Sequence, residues 1–142
     1  MSETLAPAGS TASTEEVAHE LRSRTHFVMV SHLKPDGDTL GAGLALGLAL
    51  KSLGKKVWYF QEGTVPRNLR FLPDSELVTN KLPPDLPPDT LYVFGDMSNT
   101  SRAGETLPPP KRANILDIDH HLGNERFGAF NYVIEDECST GT

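Results

Sequence analysis

A single cysteine, Cys138, stands among 142 residues. The chain therefore has no internal disulfide and no thiolate-built zinc site, and Cys138 reads as a small packing residue. Long apolar runs are missing as well. The longest, Leu40 to Leu50, falls short of the roughly 20 residues that span a bilayer and reads as a buried helix, so no membrane partner is expected. No basic region followed by an apolar core opens the chain, so the expected location is cytoplasmic. Excess positive charge is absent too. A net charge of −6 leaves no basic face to grip long duplex nucleic acid through its phosphates. A small anionic ligand could still bind where cations supply local positive charge.

What remains is enough chain for one domain with a real core. Residues 1–13 are small and polar and read as a disordered tail, and residues 14–142 as the folded domain. Thr14-Glu15-Glu16 opens a helix with a capping hydroxyl and early acids, and Val17 and Leu21 give it a thin apolar stripe. A strand follows from His26 to Ser31, then a Pro-Asp-Gly-Asp turn, then a helix from Thr39 to Leu53 closed by Gly54. Val57-Trp58-Tyr59-Phe60 has strand composition, and Asn68 to Leu72 reads as a helical turn stopped by Pro73. Leu82 to Pro88 and Pro108 to Pro110 are too rich in proline for regular structure and read as stiff surface connections. Leu91 to Phe94, Ile115 to Asp117 and Asn131 to Ile134 are further strands. Strands alternating with helical segments indicate an α/β fold: a doubly wound, largely parallel β-sheet flanked by helices.

The chemistry is concentrated where apolar runs end. Val28-Met29-Val30 leads into His32-Leu-Lys-Pro-Asp36-Gly-Asp38, and Asn114-Ile115-Leu116 leads into Asp117-Ile-Asp119-His120-His121. Ligand sets at the ends of parallel strands are how an α/β fold builds a site along one edge of its sheet. Taken alone, Pro-Asp-Gly-Asp is an ordinary turn with an incidental histidine. Asp38 also sits where it could cap the following helix. The second cluster decides the matter, because so many acids and imidazoles would repel or desolvate one another without a cation. Leu116 and Ile118 point one way along the strand and Asp117 and Asp119 the other. Asp96 is a third strand-end acid, and with the other two ends already supplied with ligands it becomes a central carboxylate between two metals.

Imidazole and carboxylate without thiolate favour Mn²⁺, ahead of Mg²⁺, Fe²⁺ or Co²⁺. Two such cations about 3.5–4 Å apart clamp a phosphoryl group and generate a hydroxide nucleophile near neutral pH, which indicates divalent-metal hydrolysis. Arg102, close behind Asp96, is a candidate phosphate contact, whereas Lys34 reads as a solvated loop residue. Gly41-Ala-Gly43-Leu-Ala-Leu-Gly47, with Glu62 further on, imitates a dinucleotide-binding fingerprint. Its glycines fall inside a helix instead of directly after the strand, so they read as small residues for close helix–sheet packing.

His32-x-x-Pro35-Asp36-x-Asp38-x-x-Gly41, Asp96 and Asp119-His120-His121 resemble the first three motifs of the DHH phosphoesterase family. The Lys-Pro-Asp-Gly-Asp-Thr-Leu-Gly form most resembles its bacterial nanoRNase and pAp phosphatase branch. The resemblance runs from Thr25 to the C-terminus. It implies one metal held by His32, Asp36 and Asp96, and another held by Asp38, Asp96 and His120. It further implies that His121 faces the scissile phosphate and that Asp119 orients a histidine. The implied substrates are short oligoribonucleotides and pAp, and a homodimer is compatible with it.

The family's fourth motif, a later strand-end Asp, has no candidate here, since Asp136 comes too soon and lies in an acidic turn. The C-terminal substrate-binding domain is absent too, so the domain reads as incomplete, cut before the fourth motif. Two rival readings remain open. One is an inactive or regulatory metal-binding or assembly module of the same fold. The other, within the family, is a pyrophosphatase or cyclic-dinucleotide phosphodiesterase.

Overall fold

A computed structural model describes residues 11–135, 137, 139 and 140. Residues 1–10 of the tail expected over 1–13, and the roles read for Asp136 and Cys138, lie outside the described residues. Among the described residues the sheet has six strands: β1 (His26–Val30), β2 (Lys56–Phe60), β3 (Val78–Thr79), β4 (Leu91–Gly95), β5 (Ile115–Asp119) and β6 (Phe130–Val133). Their spatial order is β3-β2-β1-β4-β5-β6 and every pairing is parallel. This is the α/β fold that the alternating pattern indicates. Strand order reverses between β1 and β4, and the crevice beyond the carboxyl ends of strands at such a reversal is where open α/β sheets bind ligands.

Two α-helices are present among the described residues, α1 (Thr14–Ser23) and α2 (Gly37–Ser52). Both pack on one face of the sheet. There Val17 of α1 and Leu40, Leu44 and Leu50 of α2 meet Phe27, Met29, Tyr59, Val93 and Leu116. A buried side chain of this kind contributes roughly 1.5–3 kcal/mol. Gly43 and Gly47 let α2 approach closely. A Cβ at position 43 would lie 3.8 Å from that of Met29, and one at position 47 would land on the Tyr59 ring. The opposite face carries Val28, Val30, Phe60, Phe94 and Ile115. Among the described residues it is covered by short 3-10 turns and irregular chain. Leu82, Leu86 and Leu107 pack against it, so the proline-rich connections contribute to the core as well as to the surface.

The element ends differ from the sequence reading in instructive ways. The α1 cap is Ser13, one residue earlier than expected: its hydroxyl accepts from the Glu16 N–H at 3.1 Å, and the Glu16 carboxylate accepts from the Ser13 N–H at 3.3 Å. This reciprocal box satisfies two of the free donors of the first turn. Ala12 is buried and its N–H donates to the Asn131 carbonyl at 2.8 Å, so order begins before residue 14. α2 starts at Gly37, and its cap is Asp36, not Asp38: the Asp36 carboxylate accepts from the Thr39 N–H at 3.0 Å. Asp38 instead sits in the first turn, where its charge suits the helix N-terminus. In place of one helical turn over 68–72, there are two 3-10 turns, Arg67–Leu69 and Ser75–Leu77, and β3 follows the second directly. None of the described helices is long and apolar enough to cross a membrane.

Candidate metal centre

Three loops at the carboxyl ends of β1, β4 and β5 meet at the reversal of strand order. β1 delivers His32, then a turn with Lys34 in the left-handed region (φ 51) carries the chain to Asp36. Lys34 itself is exposed. The Thr39 hydroxyl of α2 donates to the Gly95 carbonyl at 3.0 Å, which ties the start of that helix to the end of β4. Asp96 follows with φ 63, a conformation that Asp adopts more readily than most residues. Its N–H still donates to the Ile118 carbonyl at 2.9 Å, so the β4–β5 pairing continues while the left-handed turn redirects the chain. The Leu33 N–H donates to the Arg102 carbonyl at 2.6 Å, joining the loops after β1 and β4.

Asp96 is 3% exposed and stands between two groups of donors. Its Oδ2 lies 3.7 Å from His32 Nε2, which is 3.9 Å from Asp36 Oδ1. Its Oδ1 lies 3.2 Å from His120 Nε2, which is 3.4 Å from Asp38 Oδ2. His121 Nδ1 is 3.8 Å from that same Oδ1. Two sets of ligand atoms lie within 4.8 Å of one another: His32, Asp36 and Asp96 in one, and Asp96, Asp119, His120 and His121 in the other. Of the residues singled out from the sequence as metal ligands, His32, Asp36, Asp96 and His120 fall in these sets, and Asp38 lies outside both, beside His120.

The imidazoles fit metal binding in detail. His32 Nδ1–H donates to the Leu33 carbonyl at 2.7 Å and His120 Nδ1–H to the Glu137 carbonyl at 3.2 Å. Each leaves Nε2 turned toward Asp96, and metal-ligating histidines characteristically engage their other ring nitrogen in this way. Electrostatics point the same way. The facing Asp96 carboxylate raises the His32 pKa above the ordinary histidine value, against burial and the charge of Arg102. For His120, burial acts downward, but the Glu137 carbonyl and the charges of Asp96, Asp38 and Asp119 outweigh it and raise the value. Both sites attract positive charge.

Asp119 makes different contacts. Its Oδ1 accepts from His121 Nδ1–H at 2.6 Å and its Oδ2 from Asn124 Nδ2 at 2.9 Å. Asp117, next but one on the same strand, is fully buried and accepts from Asn124 at 3.1 Å through Oδ1. Burial raises its pKa from 3.8 to about 7, against the Asn124 hydrogen bond, with the Asp119 charge adding to the rise. Arg102 is exposed on the 3-10 turn Thr100–Ala103, near enough for its charge to act on His32.

Two contributors escaped the sequence reading. Thr140 donates its hydroxyl to Asp96 Oδ1 at 3.1 Å and its N–H to Asp38 Oδ2 at 2.9 Å. Asn124 is the other, and a lone asparagine in a loop carries no signal of its own. An open groove of about 1020 Å³ runs from Asp38 and Thr140 between the two helices, over Val93, Ile118 and Tyr132.

No protein-family model matches the chain. Among curated proteins, the bifunctional oligoribonuclease and PAP phosphatase of Thermus thermophilus is 36% identical over 112 residues. That match covers 79% of this chain and 33% of the relative, so the chain spans about a third of the relative's length. Among solved structures, an exopolyphosphatase-related protein from Bacteroides fragilis shares the fold with a TM-score of 0.73 at 24% identity, over 89% of this chain and 39% of that one. The chain is thus similar to this relative in sequence and to the solved structure in fold, and its strand-end motifs resemble those of the DHH phosphoesterases.

Proposed function

We propose that this chain hydrolyses phosphoester bonds in small nucleotides, namely short oligoribonucleotides or pAp, with the help of two divalent cations, Mn²⁺ first among them. The observation that carries the reading is the position of Asp96: a buried carboxylate with one oxygen toward His32 and the other toward His120. The name of the Thermus relative supports the substrate class. When bound, the cations would supply an activated water near neutral pH and positive charge against the phosphoryl group.

In this reading His32, Asp36 and Asp96 hold one cation, and Asp38, Asp96 and His120 hold the other. Asp119 is left out of the ligand set because both its oxygens are already engaged, by His121 and Asn124. His121 gives its Nδ1–H to Asp119, which leaves Nε2 for the substrate. As an imidazolium it donates there to a phosphate oxygen or to the departing oxygen. Arg102 adds a cation at the rim that suits a phosphate. With a net charge of −6, the chain relies on these local cations to attract an anionic substrate, and long duplexes are poor ligands.

The test is phosphate and nucleotide release from pAp and from di- to pentaribonucleotides, with Mn²⁺ and with chelator. The expected result is Mn²⁺-dependent turnover by the wild-type chain and none by Asp96→Ala. A wild-type chain that binds Mn²⁺ through His32 and Asp96 yet hydrolyses none of these substrates overturns the proposal in favour of a metal-binding assembly module.

A further inference from the structure

We infer that Asn124 is a positioning residue, whose amide fixes Asp119 so that Asp119 can hold the His121 ring in place. The inference rests on the hydrolase reading for its catalytic consequence, but the geometry behind it does not.

Asn124 is 7% exposed, and its orientation is set by its own loop. Its Oδ1 accepts from the Arg126 N–H at 2.6 Å, which turns Nδ2 toward the acids. The adjacent Glu125 N–H donates to the Ser98 carbonyl at 2.8 Å, and Asn124 Nδ2 also reaches the Met97 carbonyl at 3.2 Å. The loop after His121 is thereby fastened to the chain just beyond Asp96. With that frame fixed, Nδ2 presents two hydrogens to the Met97 carbonyl, Asp117 Oδ1 and Asp119 Oδ2.

Asp117 and Asp119 share one face of β5, and without a donor between them their carboxylates would push apart. A neutral amide suits this place for a chemical reason. An aspartate of the same size would add a third acceptor, and a lysine would pair with Asp119 and draw it from His121. Asp119, anchored at Oδ2, keeps Oδ1 at 2.6 Å from His121 Nδ1. The His121 side chain is 45% exposed and its ring lies against the His120 ring, 4.4 Å between centroids; this hydrogen bond is what fixes the direction of Nδ1. The chain of contacts runs from Met97, through Asn124 and Asp119, to His121.

The experiment compares wild type with Asn124→Ala, Asn124→Asp, His121→Ala and the double variant Asn124→Ala/His121→Ala. All are checked first for folding by circular dichroism and for Mn²⁺ affinity by calorimetry. Asn124→Ala is expected to lower kcat by about 10- to 100-fold, with KM and Mn²⁺ affinity within about threefold. Asn124→Asp is expected to do no better than alanine, because it keeps the size and loses the donor. In the His121→Ala background, removing Asn124 is expected to change kcat by less than about twofold. An equal loss in both backgrounds overturns the inference.

A second readout does not need turnover. In the metal-free chain, a 2.6 Å contact should give the His121 Nδ1–H a downfield, exchange-protected proton resonance, identified by its absence from His121→Ala. Asn124→Ala is expected to broaden or move it, as Asp119→Asn does. An unchanged resonance in folded Asn124→Ala overturns the inference. Should the wild-type chain show no hydrolysis, the hydrolase reading falls, and this spectrum still decides whether Asn124 positions His121.

Discussion

Asp117 offers the sharpest quantitative test of the energetics around the site. The residue is fully buried, its Oδ1 accepts from Asn124, and its Oδ2 has no hydrogen-bond partner among the described residues. A carboxyl whose pKa moves from 3.8 to about 7 prefers its neutral form in the fold by about 4 kcal/mol. The sign follows from linkage. Between pH 3.8 and about 7 the folded state holds a proton that the unfolded chain has released, so raising pH across that window removes stability. Below the window this group carries no charge penalty; above it, the penalty is complete.

Asp117→Asn keeps the shape, can present Oδ1 to the Asn124 amide and carries no charge, but it places an amide hydrogen where Oδ2 lacks a partner. That orphaned donor costs about 1–3 kcal/mol. The net expectation is that Asp117→Asn is about 1–3 kcal/mol more stable than wild type at pH 8, while the two are equal, or the variant weaker, at pH 4. The assay is urea unfolding of metal-free protein at pH 4 to 8, with stabilities taken by linear extrapolation. His32 and His120 contribute equally to both proteins, so their titration cancels in the difference. A stability difference that does not grow with pH would refute the reasoning, since it would mean that Asp117 is charged and solvated in the fold.

Three further outcomes are expected. Gly47→Ala should lose about 1–3 kcal/mol in urea unfolding in spite of the roughly 1 kcal/mol that alanine gains in a helix, because its Cβ would strike the buried Tyr59 ring. Tyr59→Phe, which removes a hydroxyl without a hydrogen-bond partner among the described residues, should restore part of that loss; no restoration would locate the conflict elsewhere. Mn²⁺ at a hundred times its Kd should stabilise wild type by about 2.7 kcal/mol against thermal unfolding, and Asp96→Ala should show almost none of this. Glu62 accepts from the Glu105 and Thr106 N–H groups at 2.7 Å, and these hydrogen bonds hold its pKa below the ordinary glutamate value. Both amides should exchange with solvent faster in Glu62→Ala, and faster in wild type as pH falls below the ordinary glutamate value of 4.5 once the intrinsic pH dependence of exchange is removed; unchanged protection in the variant would dismiss the clamp.

The parallel sheet could be read from the sequence because β1, β4 and β5 are short apolar runs that end abruptly in acids and histidines. Burial and chemistry change at the same residue, and both signals mark the carboxyl end of a strand. The convergence of His32, Asp36, Asp38, Asp96 and His120 was legible for the same reason. What escaped depended on partners distant in sequence. β3 is only two residues long and exists because Tyr59 and Phe60 pair with Val78 and Thr79. The proline-rich segment from Leu82 to Pro88 hides core leucines, since proline spacing disguises any period. Asp36 rather than Asp38 caps α2, a choice made by one turn of backbone geometry that a Pro-Asp-Gly-Asp string leaves undetermined. Asn124 and Thr140 carry no local pattern at all, and only the fold shows what they touch.

The order of the sheet has a kinetic corollary. His32 leaves β1 and Asp96 leaves β4, strands that lie side by side although β2 and β3 intervene in the chain. No local segment can therefore assemble the cluster, and long-range parallel pairing is among the slower events in folding. A cation captured here would act as a latch on a finished sheet, slowing its escape to the unfolded state while doing little to hasten its arrival.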